Sequence, residues 1–200
     1  MLTRDRILDA GLELLEEEGP HGITMRKLAK RLDVTATAIY HHVDGRDVLL
    51  DAIVDRVCAA IVAEAPREGG WRDRLRGLLT VLVERASRHP RASVWAITEY
   101  ARRPPVIRLH DAMLSILLDA GFTPARAVHL KGAAMRLVVG HLVILEASSR
   151  EWSRAPGEGD SAFETVRPAQ ENAAPAEAFR VGLDALLAGI APGPRLPDDD

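Results

Sequence analysis

The sequence predicts an all-α fold, with three small helices in an N-terminal head followed by a larger helical bundle. Three observations lead there. Apolar residues recur at helical spacing from Arg4 almost to the C-terminus. Gly and Pro cluster between those stretches, at Gly19-Pro20, at 67–70 and across 148–173. No stretch alternates apolar and polar residues as a half-buried strand would. Two hundred residues are enough chain to bury a sizeable core.

The head comes first. Ile7, Ala10, Leu14 and Leu15 share a helical stripe from Arg4 to Glu18, with Thr3 placed to cap it and Gly19-Pro20 to end it. Thr24 can cap a second helix whose Leu28 and Leu32 lie on one face. Thr35 can cap a short third helix carrying Ile39 and Val43. Asp44 can cap a fourth, starting near Arg46, which runs without a breaker to about Ala65-Pro66 and forms a rod.

The body follows. Residues 67–70, "REGG", read as a linker, and a helix from Trp71 to about Arg88 stops at His89-Pro90. A shorter helix is expected from Ala92 to Arg102. The next starts at Pro104 or Pro105 and ends at "DAGF", with Gly121 terminating it. Thr123-Pro124 pairs an N-cap with a first-turn proline, opening a helix to about Ala147 that is apolar nearly all round. Residues 148–173 read as a loop. A last helix, 174–189, carries Phe179, Leu183, Leu186, Leu187 and Ile190 on one stripe, and the tail beyond it is expected to fray. The expected organisation is a head over 1–46 and a body over 47–200, with 47–66 as the connecting helix.

Composition narrows the function classes. A net charge of −3 gives no global nucleic-acid signal, so any such site is a local patch. The single cysteine, Cys58, excludes an intrachain disulfide and suits a reducing compartment. Asp5, Asp9 and Glu13 interrupt any signal-peptide pattern. The apolar run 137–147 contains His141 and Glu146 and reads as too short and too polar to span a bilayer. A cytoplasmic protein with no membrane partner is expected.

"RKLAKRLDVTATAIYHHV", residues 26–43, poses the functional question, because helices this short are marginal unless packed on something. Helix 1 supplies that partner. Ala29 is small enough for close helix approach, Asp33 can adopt the positive φ a tight turn needs, and Ile39 can plug the angle between the helices. Two helices joined by a turn of 3–4 residues can place the second in a DNA major groove. Charge agrees locally. Residues 1–20 carry two basic against six acidic residues, whereas residues 21–46 carry five basic against two acidic. After the basic run come Thr35, Thr37, Tyr40, His41 and His42, with no aliphatic residue on the outward side. A metal shared by His41 and His42 is disfavoured, since neighbours on a helix point about 100° apart.

"TMRKLAKRLDVTATAIYHHVDGRDVLLDAI" resembles the DNA-binding head of the tetracycline-repressor (TetR) family, over roughly the first 57 residues. Downstream, "GWRDRL", "DAGF" and "VILEA" are similar to the tetracycline-repressor branch itself. Asp33 stands where a glycine is usual. The resemblance implies a ligand-responsive repressor that binds a palindromic operator as a homodimer. By position it implies DNA contacts from Arg26 and Lys27 on helix 2 and from Thr35, Thr37, Ala38, Tyr40, His41 and His42 on helix 3. Thr24 and Arg46 would hold phosphates at the edges. Arg26 can read a guanine bidentately, while Tyr40 and His42 suit phosphates, which position without specifying.

Helices 124–147 and 174–190 are apolar enough to need burial, either as core or as a dimeric four-helix interface, and the resemblance favours the interface. The remaining helices, 71–122, are expected to enclose a ligand cavity. Its candidates are Trp95, Thr98, Tyr100, His110 and Met113, with Met135 and Glu146 from the following helix; Phe122 and His141 lie nearby in sequence. The resemblance also argues against tetracycline with magnesium as the effector. The branch's drug contacts fall on Val62, Leu78 and Leu82, its metal-ligating histidine falls near Trp95-Ala96, and only the acidic position survives, as Glu146. Each lost polar partner would cost about 1–3 kcal/mol. A more hydrophobic effector and no cofactor or obligatory metal are expected.

A helical enzyme or a small-molecule carrier is the rival class. His110, His129, His141 and Glu146 could be acid–base groups, but no nucleophile elbow, phosphate loop or metal-ligand spacing accompanies them. His141 and Glu146, five apart, do not share a helix face. The expectation is that the chain is not an enzyme.

Overall fold

The structure, a computed structural model, describes residues 1–148 and 174–190. Among them are α1 (Arg4–Glu18), α2 (Met25–Leu32), α3 (Ala36–Tyr40), α4 (Arg46–Glu64), α5 (Trp71–Ala86), α6 (Pro90–Thr98), α7 (Pro104–Asp119), α8 (Pro124–Ser148) and α9 (Pro175–Ala188). A 3₁₀ turn, Pro20–Gly22, links α1 to α2. The described residues contain no strand, so the all-α expectation holds. Of the loop expected over 148–173, Ser148 is the last residue of α8, and 149–173 lie outside the described residues, as does the tail from 191.

The caps explain most of the boundaries. Thr3, Thr24 and Thr35 each accept a hydrogen bond from the backbone N–H three residues on, at 3.3, 3.2 and 3.2 Å. Gly19, at φ 74°, closes α1 with its N–H on the Leu15 carbonyl. Two expectations need correction. Asp44 does not cap α4: the N-cap is Gly45, at φ 115°, and no side chain bonds there. The helix expected over 92–102 starts at Pro90, because proline is suited to the first helical position, and stops at Thr98. The turn that follows carries Tyr100 into the core.

One continuous apolar cluster runs from Ile7 to Ile190. The rod α4 packs along α7, with α1 and α5 beside it, and α8 packs against α6, α7 and α9. Gly11 allows the close approach of α1 to α4, since a Cβ there would lie 2.7 Å from Ile53 Cδ1. Arg72 ties α9 to α5: its Nε donates to the Leu187 carbonyl at 3.2 Å and its Nη2 to that of Ile190. Arg76 reaches Asp184 at 2.8 Å.

The whole of α8 corrects the view that its apolar run is too short for a bilayer. Its 24 residues from Pro124 to Ala147 are long and apolar enough to cross one by length and composition, and only 22% of the most apolar window is buried. Val128, Val143 and Ile144 on α8, with Val181 on α9, leave 45–64% of their surface exposed.

Candidate functional site

In the head, Leu28, Ala29 and Ile39 are buried, and Asp33 takes the left-handed conformation (φ 54°, ψ 50°) that ends α2. The Val34 N–H reaches the Ala29 carbonyl at 3.0 Å across that turn. The tight connection expected from Asp33 is therefore present. It fixes α3 so that Thr35, Thr37, Tyr40, His41 and His42 face solvent, with Ala38 half-buried among them. The third helix is shorter than the pattern suggested, because His41 is its C-cap and His42 lies in the following turn.

The basic residues of the head divide into two groups. Lys27 is paired with Glu18, and Arg31 makes a fork with Glu17, one arm at 2.8 Å. That contact holds the Glu17 carboxyl below its usual range, through hydrogen bonding first and charge second. The acidic end of α1 thus neutralises part of the basic run, which the charge count could not reveal. Arg26 is exposed and belongs to no ion pair among the described residues. Arg46 turns inward, its Nε donating to the Ile23 carbonyl at 3.1 Å and its Nη2 to the Pro20 carbonyl. It clamps the turn between α1 and α2. Thr24, exposed, caps α2.

Two cavities among the described residues bear on the site. One, about 50 Å³, is lined almost wholly by apolar side chains where α1, α4, α5, α6 and α7 meet, among them Leu15, Ile53, Cys58, Leu82, Ile97 and Leu109. Burial pushes the Cys58 thiol up to about 11. The other, an open cleft of about 530 Å³, lies between α6, α7 and α8. Ile97, Met135 and Val139 give it apolar walls, and Thr98, His110, Lys131 and Arg136 give it polar groups. Burial, then the charge of Lys131, holds His110 below its usual value.

The cleft brings together Thr98, His110 and Met135 of the expected ligand set and leaves out the others. Met113 is fully buried in the core. Tyr100 is 7% exposed, donates its hydroxyl to Asp51 of α4, and packs on Trp95 with ring centroids 4.7 Å apart. Glu146 is exposed toward the end of α8. Lys131 and Arg136 are the groups the sequence reading missed; the available signal was that they are two of the three Lys and Arg residues in a largely apolar helix. Among the described residues no group of three or more His, Cys, Asp or Glu could hold a metal ion.

Comparison with known proteins places this architecture. The family model for bacterial regulatory proteins, tetR family, matches residues 7–53. A tetracycline repressor protein of class A from Escherichia coli is 30% identical over 99% of both chains. A transcriptional regulator of the helix-turn-helix type from Saccharopolyspora erythraea is 31% identical over 70% of this chain, a match spanning 59% of that protein's length. Among solved structures, a TetR regulator from Streptomyces coelicolor superposes with a TM-score of 0.72 at 26% identity, covering 94% of this chain and 97% of that one. With head, rod and body matched along nearly the full length, the chain belongs to the tetR family of bacterial regulatory proteins.

Proposed function

We propose that this chain is a ligand-responsive transcriptional repressor that grips a palindromic DNA operator as a homodimer, in the cytoplasm, and lets go when a small molecule fills its body. The observation that carries the reading is the α3 face: Thr37 and Tyr40 on the five-residue helix, with Thr35, His41 and His42 at its two ends, stand exposed, held by buried Ile39 and the Asp33 turn. Tyr40 and His42 would meet phosphates, Thr35, Thr37, Ala38 and His41 the groove, and Arg26 a guanine edge. Lys27, already paired with Glu18, would contribute little. Arg46 would act by shaping the edge of the head.

The partner is a second copy. Exposed Val128, Val143, Ile144 and Val181 on α8 and α9 form apolar surface that two chains would cover symmetrically, giving a four-helix interface and two heads. Heads over residues 1–46 would then be spaced by bodies over 47–200 to meet half-sites about 34–36 Å apart.

The effector reading rests on the cleft between α6, α7 and α8, whose volume suits a small organic ligand. Tetracycline with magnesium fits poorly. Leu78 and Leu82, at 1% and 3% exposure, offer hydrocarbon where that branch offers polar contacts. A ligand in the cleft would press on α6, which abuts both α8 and α1, and so shift the heads by its differential affinity for the two states.

Selection of bound duplexes from a random pool tests the reading. A recovered palindrome with half-sites one helical turn apart is expected. A chain that stays monomeric and retains no duplex at low salt overturns it.

A further inference from the structure

Lys131 and Arg136 bring two positive charges to a cleft that no carboxylate lines. Arg136 folds back along α8: a Cβ on Gly132 would lie 3.2 Å from its Nη1, so the guanidinium rests over the glycine beside Lys131. Among the described residues neither cation is paired with a carboxylate. Three other body arginines are paired with carboxylates: Arg74 with Asp119 at 3.5 Å, Arg76 with Asp184 at 2.8 Å, and Arg85 with Glu64. Both cations line the cleft and no carboxylate there competes for them, so an anion entering it would gain charge-assisted hydrogen bonds.

The rest of the cleft has a different chemistry. Ile97, Met135 and Val139 present hydrocarbon. Burial and then Lys131 lower the His110 pKa, which favours the neutral imidazole, a group that can hydrogen-bond without adding charge. Gly140 leaves open space, since nothing lies within 4 Å of where its Cβ would be. An apolar body can therefore lie along the helices while its charged end stays near the rim.

We propose that the cleft takes an organic anion, with an apolar body against Ile97, Met135 and Val139 and a carboxylate or phosphate held by Lys131 and Arg136. The inference deepens the reading of this cleft as the effector site and rests on it. It narrows the expected hydrophobic effector to an amphipathic anion and excludes cationic drugs.

Titration calorimetry on the full, DNA-free chain tests it with four probes of equal tail: octanoate, octyl phosphate, octanol and octyltrimethylammonium. At least one anion is expected to bind about tenfold more tightly than octanol, and the cation most weakly. The ratio of octanoate to octyl phosphate tells which headgroup the pair prefers. Lys131→Met combined with Arg136→Met is expected to bring the anions down to octanol's affinity and leave octanol unchanged, whereas Arg136→Lys keeps the preference. Circular dichroism checks that each variant folds. Because no DNA is present, an operator recovered alongside a failed titration leaves the repressor standing and removes only the ligand class. Octanol binding as well as the anions, an anion preference surviving in the double variant, or no probe binding at millimolar concentration overturns the proposal.

Discussion

Glu16, on α1 of the head, caps α6 of the body: its carboxylate accepts from the Ala92 N–H at 2.8 Å and the Arg91 N–H at 3.3 Å. His89, the N-cap residue of α6, supplies no side-chain bond, so the cap comes from a residue 76 positions away. The Arg91 side chain adds a bond to the Glu17 carbonyl at 3.0 Å. The opposite end of α6 carries Ile97 and Thr98 into the cleft. One short helix thus touches the head at its first turn and the proposed effector cleft at its last. Glu16→Ala is expected to cost about 1 kcal/mol, which lowers the thermal midpoint by about 2–4 °C. It should also shrink the drop in DNA affinity that ligand produces, as read by gel shift with and without ligand. Full ligand response in a destabilised variant would show that α6 is not the connection.

Gly77 and Pro66 meet where the linker folds back on α5. A Cβ on Gly77 would lie 2.1 Å from the proline Cγ and 2.5 Å from its Cδ. A pyrrolidine ring cannot rotate aside, so Gly77→Ala forces backbone movement in spite of alanine's better helix propensity. A net loss of about 1–3 kcal/mol is expected in urea unfolding. A neutral or stabilising result would mean that the linker yields freely.

The division of charge in the head gives a salt-dependence prediction. Arg26 is free to meet DNA, whereas Lys27 is engaged with Glu18. Arg26→Ala is expected to lower the slope of log affinity against log salt by about 1 and to relax base preference at one position. Lys27→Ala is expected to leave the slope nearly unchanged. Tyr40→Ala should weaken binding to all sequences alike. Equal slope changes for Arg26 and Lys27 would mean that the Lys27–Glu18 pair opens on DNA.

The head was largely legible in the sequence because its logic is local. Thr24, Thr35, Asp33 and Ile39 act within a few residues of themselves, and spacing alone reports caps, a turn and a plug. The body was legible as helices but not as a site. Met113 and Tyr100 have the chemistry of ligand contacts, yet one sits in the core and the other is tied to Asp51. Both facts depend on how α4 lies against the α6–α7 region, which periodicity does not encode. The neutralisation of Lys27 and Arg31 by α1 escaped for the same reason: pairs 9 and 14 residues apart are decided by the packing angle.

Asp33 offers a test of the turn itself. It is the one non-glycine residue at positive φ among the described residues. An L-residue there carries a steric cost that glycine lacks, partly offset by glycine's greater freedom when unfolded. Asp33→Gly is expected to stabilise the chain by about 0.5–1 kcal/mol without changing DNA affinity by more than about twofold. A lower thermal midpoint would show that the Asp33 side chain contributes a bond that the strain argument omits.

The half-buried imidazoles predict how the body responds to acid. Burial, then Lys131, holds His110 below the ordinary histidine value of 6.5, and burial does the same for His141, which packs on Phe179 with ring centroids 5.2 Å apart. Below that value an unfolded chain takes up protons that the folded chain resists. The unfolded state then binds more protons, so stability rises with pH across this window and is lost as pH falls through the depressed folded values. The carboxylates of Glu17 and Glu64 do not compete, since their arginine partners hold them below the usual carboxylate range. Urea midpoints are therefore expected to fall between pH 7.5 and pH 5.5. His110→Gln keeps a neutral polar group in place and should remove part of that fall, and His110→Gln with His141→Gln should remove most of it. A double variant as acid-sensitive as the parent would place the sensitivity elsewhere in the chain.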